Sequence, residues 1–164
     1  FFNKTPLIQF VQKGLSSISI SGEKLYEAQV VEAVNNALKK ARLSVKFFSA
    51  TFEWNDFPHY VFLSEFNDDV PLSKKMEFLN LIESELYIQN TEYKDIRMQQ
   101  LLGEPVLKIV KFGDFEKYRA QKIAEGAHEG QFKMPQLVSD PEFQNNFTIV
   151  EKISMEKSET RSLL

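Results

Sequence analysis

Two runs of apolar and β-branched residues, Val45 to Glu53 and His59 to Phe66, are joined by the short link Trp54-Asn55-Asp56-Phe57-Pro58. The link is made of turn formers, so the runs read as the two strands of a hairpin. Along the first run Val45, Phe47, Ser49 and Thr51 fall on one side and Lys46, Phe48, Ala50 and Phe52 on the other. Large apolar groups on both sides are the pattern of a strand covered on both faces. Phenylalanine supplies 15 of the 164 residues, and burial within such a sheet is its expected use.

The elements around the hairpin follow from hydrophobic period. Leu7 to Val11 reads as an extended N-terminal strand, and Ser16 to Ser21, with Ile18 and Ile20 alternating with serine, as a second. From Glu23 to Arg42 the period becomes helical, with Val30, Val34, Ala37, Leu38 and Ala41 on one face. Pro71 and Ser73 announce a helix whose seam is Leu72, Met76, Leu79, Ile82 and Leu86. Tyr93 to Leu102 is polar and partly helical, ending at Gly103; Pro105 to Phe112 is a further strand. Asp114 is the expected cap of a helix from Phe115 to about Ala124, stopped by Gly126. The order β-α-β-β-α-β predicts an α+β domain of ferredoxin-like type. Its sheet would be four-stranded and antiparallel, with an added N-terminal strand and C-terminal helix.

Composition removes several function classes. The chain carries 20 Lys+Arg against 23 Asp+Glu, a net charge of −3, which argues against a broad nucleic-acid or anionic-membrane footprint. No cysteine is present, so there is no disulfide framework, thiolate nucleophile or cysteine zinc site. The two histidines, His59 and His128, have no partner at H-E-x-x-H spacing, and no metal site is expected. His59, opening a strand beside Pro58, reads as structural. Nucleophile-elbow, P-loop and dinucleotide glycine patterns are absent. Phe47, Phe48 and Phe52 suggest an RNA-stacking sheet, but the glycines of the RNP1 signature and a basic surplus are missing.

Two loops are chemically suggestive. Ser21-Gly22-Glu23-Lys24-Leu25 is a glycine turn that delivers a helix start beside a lysine, an arrangement suited to a phosphate. Gly126-Ala127-His128-Glu129-Gly130-Gln131-Phe132-Lys133-Met134-Pro135 holds Lys133 between two apolar residues ahead of a proline. A lysine there can meet a phosphate oxygen as a compact point charge. The plainer readings are a strand-to-helix turn and a solvated surface lysine.

The stretch Pro105-Val106-Leu107-Lys108-Ile109-Val110-Lys111-Phe112-Gly113-Asp114-Phe115-Glu116, then Gly126-Ala127 and Gln131-Phe132-Lys133-Met134-Pro135, resembles the C-terminal domain of the auxin-responsive acyl-acid–amido synthetases. These are adenylate-forming enzymes. Ser21 to Glu27, Pro58-His59-Tyr60-Val61 and Tyr93 to Arg97 agree with the resemblance. It covers about residues 1–138, leaving 139–164 as a C-terminal tail, expected either as a short helix begun by Asp140-Pro141-Glu142 or as poorly ordered chain. Met134 and Gln136 depart from the plant Lys-Thr-Pro-Arg form, which points to a bacterial-type homologue.

The resemblance implies a mobile lid for a large N-terminal adenylation domain that is absent from this chain; the first residue is Phe1 rather than Met. The parent enzyme would use ATP and Mg2+, bound mainly by the large domain, to adenylate a small carboxylic acid. It would then pass the acyl group to an amine, in the cytoplasm, with no nucleic acid or membrane involved. In this fragment Lys133 is the implied catalytic residue. Gln131, Gly130, Gly22, Glu23 and Lys24 are the implied loop residues near phosphate, and no cofactor is expected to be held by the fragment alone. The alternative is a non-enzymatic α+β module that binds a small ligand or a protein.

Overall fold

A computed structural model describes residues 16–155; the expected strand Leu7 to Val11 lies outside them. The chain runs β1 (Ser17–Ile18), β2 (Leu25–Tyr26), α1 (Glu27–Ala41), β3 (Val45–Glu53), β4 (His59–Phe66), α2 (Leu72–Gln89), α3 (Thr91–Met98), β5 (Val106–Val110), α4 (Asp114–Ala124), a 3₁₀ turn (Pro141–Asn146) and β6 (Ile149–Ser154). The hairpin is the expected one: β3 and β4 pair antiparallel from Val45 opposite Phe66 to Glu53 opposite His59.

β4 is buried along its whole length, and its alternation feeds two cores. Tyr60, Phe62 and Phe66 face the larger core, with Val30, Val34 and Ala37 of α1 and Phe78, Leu79, Ile82 and Leu86 of α2. Val61 and Leu63 face the smaller, with Phe115 of α4, Phe143 of the 3₁₀ turn and Phe147 just after it. The molecule is therefore layered as helices, sheet, helix and turn. Phe48 and Phe52 are spent in the larger core and Phe47 packs on the smaller, so these three rings are occupied within the domain.

The α+β class and the four-stranded sheet are as expected, and three details differ. The sheet order is β3-β4-β5-β6 and is mixed, since β4 and β5 run parallel. A parallel pair needs a crossover, and α2 and α3 supply it. Ser16 to Ser21 does not enter this sheet; it keeps only two strand residues, paired with β2. The fourth strand, β6, comes from the segment expected as a tail and pairs antiparallel with β5.

Helix ends also differ in two places. Leu72 is 55% exposed, because the seam of α2 begins one turn later. The N-cap of α4 is Gly113, not Asp114. The capping carboxylate comes instead from Glu65 of β4, which accepts from the N–H groups of Gly113 (2.8 Å) and Phe115 (3.2 Å). Asp114 accepts from the Thr148 N–H at 2.8 Å and so ties α4 to the entry of β6. Among the described residues no helix is long and apolar enough to cross a membrane.

Candidate functional site

Lys133 lies where a turn meets a rail. α4 ends at Glu125, and Gly126, at φ +111°, takes the left-handed conformation that lets the chain reverse. The Gln131 and Phe132 N–H groups both donate to the His128 carbonyl at 2.9 Å, closing a compact turn. An added Cβ at Gly130 would meet nothing within 4 Å, so the tip of this turn is open at that residue. Beyond Lys133 the backbone is held. Ser49 Oγ donates to the Pro135 carbonyl at 2.5 Å, the Ala50 N–H to the Gln136 carbonyl at 2.9 Å, and the Val138 N–H back to the Ala50 carbonyl at 2.8 Å. Thr51 Oγ1 donates to the Asp140 carbonyl at 2.8 Å.

Residues 135–140 thus cover the open edge of β3, which removes an unpaired row of backbone groups from water. Met134 and Val138 pack on the smaller core, Phe132 is half-buried, and Lys133 and Gln131 are exposed. Among the described residues Lys133 has no carboxylate at ion-pair distance. An ammonium on an anchored backbone, without a carboxylate partner among the described residues, can meet an external anion.

The second loop is built around Glu23, which the sequence placed beside a phosphate. It is completely buried and turns inward. Its carboxylate accepts from the Ile20 N–H (3.1 Å), the Ser21 N–H (3.0 Å) and the Tyr60 hydroxyl (2.5 Å). A buried carboxylate needs such partners. Burial first, and then the Glu23 carboxylate, push the Tyr60 hydroxyl far above its ordinary value of 10.0; it stays a donor at any working pH. Glu23 therefore shapes the loop rather than facing a ligand, and Gly22, at φ +111°, supplies the bend that allows its neighbours' N–H groups to converge.

Lys24 is exposed, its Nζ 5.4 Å from the Tyr26 ring. Its backbone is fixed at both ends, the N–H by Glu92 (3.1 Å) and the carbonyl by Asn90 (2.9 Å). Gly22 and Lys24 line a surface cleft of about 640 Å³ with Ser17, Ser19, Asn90 and Glu92.

The start of α1 connects the two loops. Glu27 Oε1 accepts from the Gln136 N–H at 3.0 Å, although the residues are 109 apart in sequence. The Glu27 N–H donates to the Ser16 carbonyl at 2.9 Å, and Ser16 Oγ reaches the Leu137 carbonyl at 3.4 Å. The sequence reading missed Glu27, Ser49 and Thr51. The one local sign was a pair of hydroxyl residues on the Phe47 side of a strand otherwise rich in phenylalanine; nothing local marks Glu27.

His59 is structural, as expected: its Nδ1 lies 3.1 Å from the Phe57 carbonyl and its Nε2 3.2 Å from Glu53 Oε2. His128 is exposed. Among the described residues no three His, Cys, Asp or Glu side chains are grouped to hold a metal ion.

A mixed four-stranded sheet with a helical pair on one face, and a lysine on the segment that covers the edge of β3, make up a small α+β domain. The profile of the GH3 family C-terminal domain matches residues 28–142, and the chain belongs to that family. It is 30% identical over 142 residues to a jasmonoyl–L-amino acid synthetase, JAR4, of Nicotiana attenuata, covering 84% of this chain and 24% of that protein. It is 26% identical over 151 residues to the 4-substituted benzoates-glutamate ligase GH3.12 of Arabidopsis thaliana, covering 84% and 26%. The fold matches the solved GH3.15 acyl acid amido synthetase with a TM-score of 0.73 at 24% identity, over 85% of this chain and 26% of that one. The chain spans about a quarter of the length of the curated relatives it matches.

Proposed function

We propose that this chain is the mobile C-terminal lid of an ATP-dependent acyl-acid–amido synthetase. The parent adenylates a small carboxylic acid and transfers the acyl group to an amine or amino acid. The observation that carries the reading is Lys133, exposed and unpaired among the described residues, on a backbone anchored to β3, in a chain of the GH3 C-terminal domain family.

Adenylation places charge on the α-phosphate and on the departing pyrophosphate. An ammonium held in position before the reaction stabilises that charge without reorganising. Delivery on a closing domain confines the contact to the closed state and excludes water from an intermediate that hydrolyses readily. Gly22 and Lys24 line a cleft attached to the same end of α1 and take part in the closed contact, as do Gln131 and Gly130 in the lysine's own turn. ATP and Mg2+ are held mainly by the large domain, the partner of this one within the parent polypeptide. The reaction belongs to the cytoplasm, and the isolated domain is inactive.

The test is acid-dependent ATP–pyrophosphate exchange by the enzyme chain that carries this domain. Lys133→Ala is expected to lower the exchange rate by about 10²-fold or more, the usual loss when one preorganised charge contact is removed. Exchange at the wild-type rate would refute the role of Lys133. A parent chain that shows no acid-dependent exchange at all would point to the non-enzymatic binding module instead.

A further inference from the structure

We propose that Glu27 is a positioning residue for Lys133; the inference rests on the catalytic reading of that lysine. Lys133 is three positions from Gln136, whose backbone is gripped from two sides. The Ala50 N–H holds its carbonyl at 2.9 Å, and the Glu27 carboxylate holds its N–H at 3.0 Å. The first bond belongs to the edge of β3. The second is the only one of the pair that a side chain makes, and it comes from the first residue of α1.

On the other side of Lys133, the turn from His128 to Phe132 is closed by bonds within itself, Ala127 is tied back to Lys122 of α4, and Gly130 has open space around it. The direction in which the ammonium leaves the domain is therefore set by Met134 on the smaller core together with the held backbone on the Gln136 side. Ser49 fixes the Pro135 carbonyl and with it the position of the segment along the strand. Glu27 fixes how far the segment stands from α1. A shift of one ångström at a charge contact is enough to lose much of its effect on rate, so a bond that fixes this distance acts on catalysis without touching substrate. Glu27 also stands at the positive end of the α1 dipole, where a carboxylate stabilises a helix; the experiment has to separate that structural effect from positioning.

Glu27→Asp separates them. It keeps the charge at the helix start and withdraws the oxygen by about one methylene, out of reach of the Gln136 N–H. In the parent enzyme Glu27→Asp and Glu27→Ala are both expected to lower the ATP–pyrophosphate exchange rate by about 10-fold, the factor corresponding to one lost hydrogen bond. Glu27→Gln keeps an accepting oxygen at the same reach and is expected to stay within about 2-fold of wild type. The thermal midpoint of Glu27→Asp should remain that of the wild type. In a Lys133→Ala background neither Glu27→Asp nor Glu27→Ala should lower the rate further, since the group being positioned is gone. Equal losses in both backgrounds, or no loss for Glu27→Asp in the wild-type background, would overturn the proposal. A silent Lys133→Ala would overturn the catalytic reading, and this inference with it.

Discussion

At the scale of single residues, the most consequential side chains are buried carboxylates that serve backbone N–H groups. Glu65 is fully buried and supplies the cap that the sequence assigned to Asp114. Removing it leaves two N–H groups at the start of α4 without their acceptor and a void beneath the helix. Glu65→Ala should cost about 2 kcal/mol, within the range for a lost cap and its desolvation penalty, read as a lower urea midpoint at unchanged slope. A loss below about 0.5 kcal/mol would mean that water replaces it.

Asp114 is the corresponding case for pH. The Thr148 N–H, helped by the Lys117 ammonium and opposed by burial, holds the Asp114 carboxyl below its ordinary 3.8. A depressed native pKa gives stability that is present above the unfolded value and is lost as pH falls through the native one. Stability measured between about pH 5 and pH 2.5 should fall less steeply in Asp114→Asn than in the wild type; parallel curves would refute it.

At the scale of elements, strands were easier to read than helix ends. The bounds of β3 and β4 are those of the apolar runs, because Phe and β-branched residues only pack at that density on a sheet covered twice. The buried faces of α1 and α2 follow their period. The seam of α2 failed at Leu72, where period continues but no layer lies above it. β6 was missed although Ile149, Val150 and Ile153 were in plain sight. The folded strand alternates in burial, but its sequence hides this, with Val150 on the exposed side and Glu151 on the covered one, and its place is fixed by β5, far away in the chain. Glu23 and Glu27 were equally illegible: a glutamate in a turn or at a helix start gives no sign of turning inward or of meeting residue 136.

Because β6 completes the sheet, the boundary expected at residue 138 cuts through a packed layer. A chain ending there would uncover Leu107 and Ile109 of β5 and lose Phe143, Phe147 and Ile153 from the two cores. It should lose cooperative unfolding in urea, while the chain to residue 155 keeps it. Equal transitions would show β6 to be dispensable.

At the scale of the whole molecule, the fold divides support from presentation. α1, α2 and the sheet form one rigid support; the lysine turn and the Gly22 loop are carried on one end of it. On the proposed lid function, the 164-residue chain alone should show no ATP–pyrophosphate exchange above background, measured with the acids accepted by the enzyme chain that carries it. Exchange by the isolated chain would mean that it holds a complete site.

The rail along β3 also bears on how the molecule folds. The Ser49–Pro135 bond joins residues 86 apart, and it forms on an edge that exists only once the β3–β4 hairpin is paired. Contacts of such long range bear their loop-closure entropy before they stabilise anything. The lysine segment is therefore expected to dock late in folding, after the hairpin has formed. A chain stalled before that step would keep native-like secondary structure with the 135–140 segment undocked, so circular dichroism should report refolding earlier than a probe placed on that segment.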